Sequence, residues 1–278
     1  MTLSPGSTVA GEADQWMLFE RMSTDGYPLI ILVRNGDPVV SEALKAGLLS
    51  VVSCKADSSI FFDNGLPQYT DRIYPIEDKL AHELERCNFA VFHVASVSGE
   101  GQRRLIYAHA EPVDFERMLK SVKVEGYSFS TDTPLDHSDL IDLITPSATD
   151  RQLSGDMSVI SNLSKNGDDG TAARKTDFWF YGATNALEAL IADLTPWGFA
   201  IDHWLDEAEG VVLTTNTAVD LDSFKSLTPV LVATAETHGV KYDGWETFVV
   251  SPEAPEPDPI ATPQPKSLLS KLFGAKKN

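Results

Sequence analysis

What this sequence has least of is cysteine: two in 278 residues, Cys54 inside a strand-like run and Cys87 just ahead of another. Two such thiols make neither a disulfide framework nor a metal-ligand spacing, so both are expected as small buried hydrophobes of a reducing compartment. Long apolar runs are also missing. The longest, such as Leu29 to Val33, fall far short of the roughly 18 residues a spanning helix needs. Met1 to Glu20 lacks the basic start, apolar middle and small-residue cleavage site of a secretory signal. A cytoplasmic protein with no transmembrane segment is expected. Basic charge is scarce too: 22 Lys and Arg face 41 Asp and Glu, a formal charge of −19. Such a surface repels nucleic acid and anionic lipid and speeds encounter with basic partners, so direct nucleic-acid binding is not expected.

Catalytic and cofactor signatures are missing as well. No serine sits in a nucleophile elbow, and no cysteine has a reactive context. Gly99-Glu100-Gly101 and Asp168-Asp169-Gly170 lack the length and the lysine of a phosphate loop and read as turns. His82-Glu83 opens like a zinc helix, but Arg86 stands where the second histidine belongs. No cofactor, catalytic residue or metal site is assigned. One pair carries an alternative: a hairpin around Glu100 and Gly101 places His93 across from His109. Two imidazoles there, with acids of the first domain or of an inter-domain cleft, outline a metal-assisted hydrolase. Val91, Ala95 and Tyr107 beside them offer no third ligand.

What is present is enough apolar side chain, 42% of residues, to bury two cores. Strands are expected near Gln15 to Met22, Tyr27 to Arg34 and Leu48 to Lys55, the first two as a hairpin. A helix follows over about Leu66 to Arg86, where Ile73, Ile76, Leu80 and Leu84 recur at helical steps and Pro75 kinks it or delays its start. A hairpin of Phe89 to Val97 and Arg103 to Ala110, a helix from Pro112 to about Val122 and a strand at Tyr127 to Ser130 complete a βαββαβ order. After a boundary near Asp136 and a helix near Gln152 to Lys165, the order repeats. It runs through a strand at Thr176 to Gly182, a helix at Asn185 to Leu194, strands at Phe199 to Leu205 and Gly210 to Asn216, a helix at about Asp222 to His238 and a strand at Trp245 to Val250. Pro229 requires the later helix to begin late or to bend.

The fold class is therefore α+β: two tandem ferredoxin-like units, the first with an added N-terminal hairpin and the second with an added N-terminal helix. The division expected is a leader over 1–14, a domain over 15–133, a linker over 134–150, a domain over 151–250, a linker over 251–265 and a basic amphipathic tail over 266–278. Two echoes link the units. Asn88-Phe89-Ala90-Val91-Phe92-His93 parallels Gly198-Phe199-Ala200-Ile201-Asp202-His203, and Val122-Lys123-Val124-Glu125-Gly126-Tyr127 parallels Val240-Lys241-Tyr242-Asp243-Gly244-Trp245. Six prolines and three acids fill Ser251 to Pro265, the composition of an extended, disordered linker. In the tail, Leu268, Leu269, Leu272 and Phe273 share one helical stripe, suited to weak docking on a partner groove, the acidic body or a membrane surface.

Binding is the function this composition favours. From Asp136 to Val250 there are nineteen Asp and Glu against six Lys and Arg, so most of the negative charge lies late. Aromatic residues concentrate there as well, and strands alternate faces, so some of Trp179, Trp204 and Trp245 are expected at a contact surface. Asp202, Asp206, Glu207, Glu209, Asp220, Asp222, Asp243 and Glu246 supply a field for a basic protein segment, with Trp245 as anchor.

The element Val240-Lys241-Tyr242-Asp243-Gly244-Trp245-Glu246-Thr247 resembles the signature of the bacterial family named regulator of ribonuclease E activity B. Asn162-Leu163-Ser164-Lys165-Asn166-Gly167-Asp168, the strand at Phe178 and Trp197-Gly198-Phe199 follow in that family's order, over roughly Arg151 to Val250. The resemblance implies a ferredoxin-like fold and an acidic, non-catalytic inhibitor that binds an RNA-processing enzyme, ribonuclease E. Residues 15 to 130 resemble a second bacterial family, domain of unknown function 695. The residues are Trp16, Asp63-Asn64-Gly65-Leu66-Pro67, Ile76-Glu77-Asp78-Lys79-Leu80 and Gly101-Gln102-Arg103-Arg104-Leu105-Ile106-Tyr107. No activity comes with that name.

Overall fold

The structure, a computed structural model, describes residues 15–35, 38–205 and 209–250. Its contacts divide the chain into two compact units, one holding residues up to 157 together with 225–237, the other 158–224 and the residues from 238 onward.

The first unit opens with the hairpin β1 (Gln15–Met22) and β2 (Pro28–Asn35), turned at Gly26, whose φ of +80° suits glycine. Helix α1 (Pro38–Ala46) follows, then β3 (Leu48–Ala56), α2 (Tyr74–Leu84), β4 (Val91–Gly99), β5 (Gln102–His109), α3 (Phe115–Leu119), β6 (Tyr127–Asp132) and α4 (Ser138–Ile144). The sheet order is β1-β2-β4-β5-β3-β6, and every neighbouring pair is antiparallel. Taken from β3, the βαββαβ run has strand order 4-1-3-2, the ferredoxin-like arrangement, and the hairpin extends it beyond β4.

Both faces of this sheet are covered. Ile73, Ile76, Leu80 and Leu84 bring α2 onto one face with Phe115 and Leu119 of α3, over Val52, Cys54, Leu105 and Tyr107. On the other face Val40 and Ile144, with Ala43, Leu44, Leu140 and Ile141, bring α1 and α4 over Phe19, Ile31, Leu49, Val94 and Ile106. Strands buried on both sides show no alternation, which is why all but one position of β4 is buried. Burial pushes the Cys54 thiol up to about 12, so it is an inert hydrophobe.

Four helices differ from the sequence expectation. Helix α2 begins at Tyr74, after a single 3-10 turn over Thr70–Arg72, because Pro75 occupies its first turn and Asn64 to Pro67 are drawn into a turn in which Asn64 accepts from the Leu66 amide at 3.2 Å. Helix α3 is short, capped by Asp114, which accepts from the Arg117 amide at 2.9 Å. Helices α1 and α4 were not anticipated, and they supply the second covering layer.

The chain continues through α5 (Ala148–Lys165) and into β7 (Arg174–Tyr181), α6 (Thr184–Leu194), β8 (Ala200–Trp204), β9 (Gly210–Thr217), α7 (Leu221–His238) and β10 (Lys241–Thr247). The second sheet has order β10-β7-β9-β8, again 4-1-3-2 and antiparallel throughout. Helix α7 runs unbroken through Pro229 rather than starting late. Within the second unit Phe178, Phe180, Leu187, Leu190, Leu194, Phe199, Leu213 and Phe224 are buried. Phe178 meets Phe199 edge-on at 5.2 Å, and Phe224 lies 4.3 Å from Trp245.

A buried ion pair closes this core. Arg174 and Asp168 have side chains only 2% exposed and pair through two guanidinium nitrogens, one at 2.8 Å. Asp168 also accepts from the amides of Gly170 at 3.0 Å and Val250 at 2.7 Å, and Arg174 donates to the Phe248 carbonyl at 3.2 Å. The pair thus fastens the loop before β7 to the segment after β10. Hydrogen bonds from Arg174 hold the Asp168 carboxyl well below the usual carboxylate range despite burial. Among the described residues, no helix is long and apolar enough to cross a membrane.

Candidate partner-binding margin of the second unit

Alternation along β7 sets the two faces of the second sheet. Arg174, Thr176, Phe178 and Phe180 are buried, while Lys175, Asp177, Trp179 and Tyr181 point to the opposite, open face. Cross-strand register places Val212, Thr214 and Asn216 of β9, His203 of β8, and Lys241 and Glu246 of β10 on that open face.

Two bulges adjust this pattern. In β8 the register shifts between Ile201 and His203, so Asp202 and His203 both reach the open face. Asp202 accepts from Lys175 at 2.7 Å and from His203 at 2.8 Å, and the Lys175 ammonium holds its carboxyl below the usual range. His203 stands edge-on to Trp179, ring centres 6.3 Å apart. In β10 the shift falls between Tyr242 and Gly244, leaving Asp243 as the extra residue. Tyr242 and Trp245 consequently point to the same, helix-covered side: Tyr242 stacks on Phe180 at 5.0 Å and Trp245 on Phe224.

That geometry corrects the expected anchor. Trp245 is a core residue, 9% exposed, and offers no surface to a partner. At the β8 edge, by contrast, large apolar residues are exposed: Trp197, in the 3-10 turn leading to β8, is 60% exposed, Ile201 46% and Trp204 39%, with Phe248 (59%) and Val249 (47%) exposed after β10. Beta8 is the last strand of its sheet, every residue of it is exposed, and its outer backbone edge pairs with no other strand among the described residues.

The acids do not act alike. Asp202 is compensated by Lys175, and Asp243 pairs with Lys241 at 2.5 Å. Asp220 caps the start of α7 by accepting from the Ser223 amide at 2.8 Å. Glu209 and Glu246 are exposed, at the start of β9 and on β10, and Asp222 is exposed on α7. Asp206 and Glu207 lie outside the described residues, as do Leu268, Leu269, Leu272 and Phe273 of the tail. Sequence reasoning passed over Lys175 and Lys241, the two cations of the open face, and Trp197 and Ile201. The signal for the last two was available: they flank the Gly198-Phe199 junction, with Trp197 in the turn and Ile201 on the same face of β8 as Trp204.

The histidine pair does not form. A bulge between His93 and Ala95 brings His93 opposite Tyr107, while His109 faces Val91. His93 lies between Trp16 (5.4 Å) and Tyr107 (5.0 Å), with its Nε2 within 3.1 Å of the Ala95 carbonyl and the Ser96 hydroxyl. Burial pushes its pKa down to about 4, helped by the Arg103 charge. His109 instead contacts the Ser50 hydroxyl at 2.9 Å and the Glu111 carbonyl at 2.8 Å. Among the described residues no three His, Cys, Asp or Glu side chains converge as metal ligands.

Residues 155–247 match the family model described as Regulator of ribonuclease activity B. That span runs from within α5 to the end of β10 and includes the whole second sheet. No curated protein matches the chain.

Proposed function

We propose that residues 155–247 form a non-catalytic regulator that binds a basic segment of an RNA-processing enzyme, ribonuclease E in the first instance, and lowers its activity. The observation that carries this is the family match over a four-stranded ferredoxin-like sheet whose β8 margin exposes Trp197, Ile201 and Trp204, with exposed acids such as Glu209 in the same sheet region. Exposed tryptophans at an unpaired edge are a strong docking chemistry, and a negative surround steers a cationic chain onto them. The proposed binding set is therefore the margin residues together with Asp202, Asp206, Glu207, Glu209, Asp220, Asp222, Asp243 and Glu246. Lys175 and Lys241 reduce what Asp202 and Asp243 contribute. The basic segment so occupied is withdrawn from RNA, and no chemistry by this chain is needed. The unit of residues 15–130, with its resemblance to domain of unknown function 695, adds no activity to this account.

A cleavage assay tests it. Purified full chain is added to ribonuclease E acting on a labelled single-stranded RNA, at low and at high salt. Slower cleavage at low salt, relieved as salt screens the surface charges, is the expected result. Cleavage unchanged by excess chain, with no co-elution of the two proteins at low salt, would overturn the proposal.

A further inference from the structure

The first sheet has an unpaired edge strand of its own, β6, with different chemistry. Beta6 is the last strand of the first sheet, and β3 pairs with one side of it alone. Proteins usually blunt such edges with proline, lysine or a bulge. Beta6, Tyr-Ser-Phe-Ser-Thr-Asp, has neither proline nor lysine, and its register with β3 runs unbroken from Val51↔Asp132 to Ala56↔Tyr127. The Tyr127 amide already donates to the Val124 carbonyl at 3.1 Å, so the outward backbone donors and acceptors left for a partner run from Ser128 to Asp132, a ladder of about 17 Å.

A groove of about 690 Å³ runs beside this ladder, between β6 and the stretch from α3 to Val124. Leu119, Val122, Val124, Tyr127 and Phe129 provide its apolar lining, with the exposed hydroxyls of Ser128 and Ser130 along the strand. Lys120 and Lys123 stand exposed on its wall, neither in an ion pair with a described residue, and Glu116 is the one acid that lines it. In a chain of formal charge −19, a groove with two lysines to one glutamate is a reversal of sign.

We propose that this groove takes an extended acidic peptide segment of a partner protein, which adds to β6 as a seventh strand of the first sheet. Backbone hydrogen bonds along β6 supply affinity, and apolar side chains alternate into the groove while acids on the partner meet Lys120 and Lys123. A second copy of this chain fits less well, because pairing β6 with β6 brings the same lysines together. The chain's own acidic stretch after Val250 carries six prolines between Ser251 and Pro265, and proline donates nothing to a ladder.

The probe is a fluorescein-labelled peptide of four Glu-Val repeats, titrated against the full chain by anisotropy. Expected are saturable binding, none for the matching Lys-Val peptide, and loss of binding when alternate Glu-Val amides are N-methylated. The double variant Lys120→Glu/Lys123→Glu, at exposed positions and checked for native circular dichroism, is expected to weaken binding about tenfold or more. Amide exchange over residues 127–132 slows in the complex. No saturable binding, equal binding of the N-methylated peptide, unchanged affinity of the double variant, or self-association that protects β6 without peptide would each overturn the proposal.

Discussion

The two sheets share one strand order and differ in what is added to it. In the first unit the hairpin β1–β2 pairs with the outer edge of β4, and α1 and α4 cover the second face. In the second unit the equivalent strand, β8, keeps a free edge, and the equivalent face carries Lys175, Asp177, Trp179 and Lys241 toward solvent. The same framework is thus closed in one copy and open in the other. Closure is a matter of added segments, the β1–β2 hairpin with α1 and the helix α4, being present or absent, and an uncovered face is what the second unit retains.

The sharpest way to break this comparison is to place a charge on equivalent faces of the two sheets. Ile31→Lys, at a position with no exposure beneath the α1 and α4 layer, is expected to cost about 5 kcal/mol or more, because an unpaired ammonium replaces a packed side chain. Urea titration followed by far-UV circular dichroism measures it. Asn216→Lys, on the open face of β9, is expected to stay within about 0.5 kcal/mol. Equal losses would show that the open face is not open.

Next in size is the second unit's own fastening. Asp168→Ala leaves Arg174 buried without its carboxylate and removes the acceptor of the Val250 and Gly170 amides, an expected loss of about 3–5 kcal/mol. Four of the five tryptophans lie in this unit, so fluorescence-detected unfolding reports it. In the native protein the Asp168 carboxyl titrates below its unfolded value. The stability it contributes is therefore present above about pH 4 and is lost as pH falls further.

A smaller effect comes from His93. With a pKa of about 4 in the fold against about 6.5 unfolded, His93 binds its proton more readily once the chain unfolds. Its contribution to stability falls as pH drops from about 6.5 toward 4, by about 2 kcal/mol for a residue that is half-buried. His93→Gln is expected to flatten unfolding free energy over that interval, measured by urea titrations at several pH values.

The repeated βαββαβ order was legible because hydrophobic periodicity and turn glycines are local signals. The internal echoes were informative too, since both fall on equivalent elements: 88–93 and 198–203 lead into β4 and β8, and Gly126-Tyr127 and Gly244-Trp245 into β6 and β10. Bulges were not legible. A single extra residue at Asp243 turns Trp245 inward; near His93, the Gly99↔Gln102 register already leads toward Ala108, and the bulge shifts His93 one further to Tyr107, so it never meets His109. The echo held the correction for Trp245: its counterpart Tyr127 is buried as well, its hydroxyl donating to the Gln68 carbonyl. Helices α1 and α4 are short and become stable through the face they cover, so local propensity gave little indication of either.

The account rests on the β8 margin being the surface through which the second unit meets a basic protein. Its most direct test is a titration of ribonuclease E with the native chain and with Trp197→Ala/Trp204→Ala, whose exposed positions leave the fold intact. The expected result is affinity at least about thirtyfold weaker in the double variant, with near-native unfolding. Equal affinity of the two proteins would contradict the account.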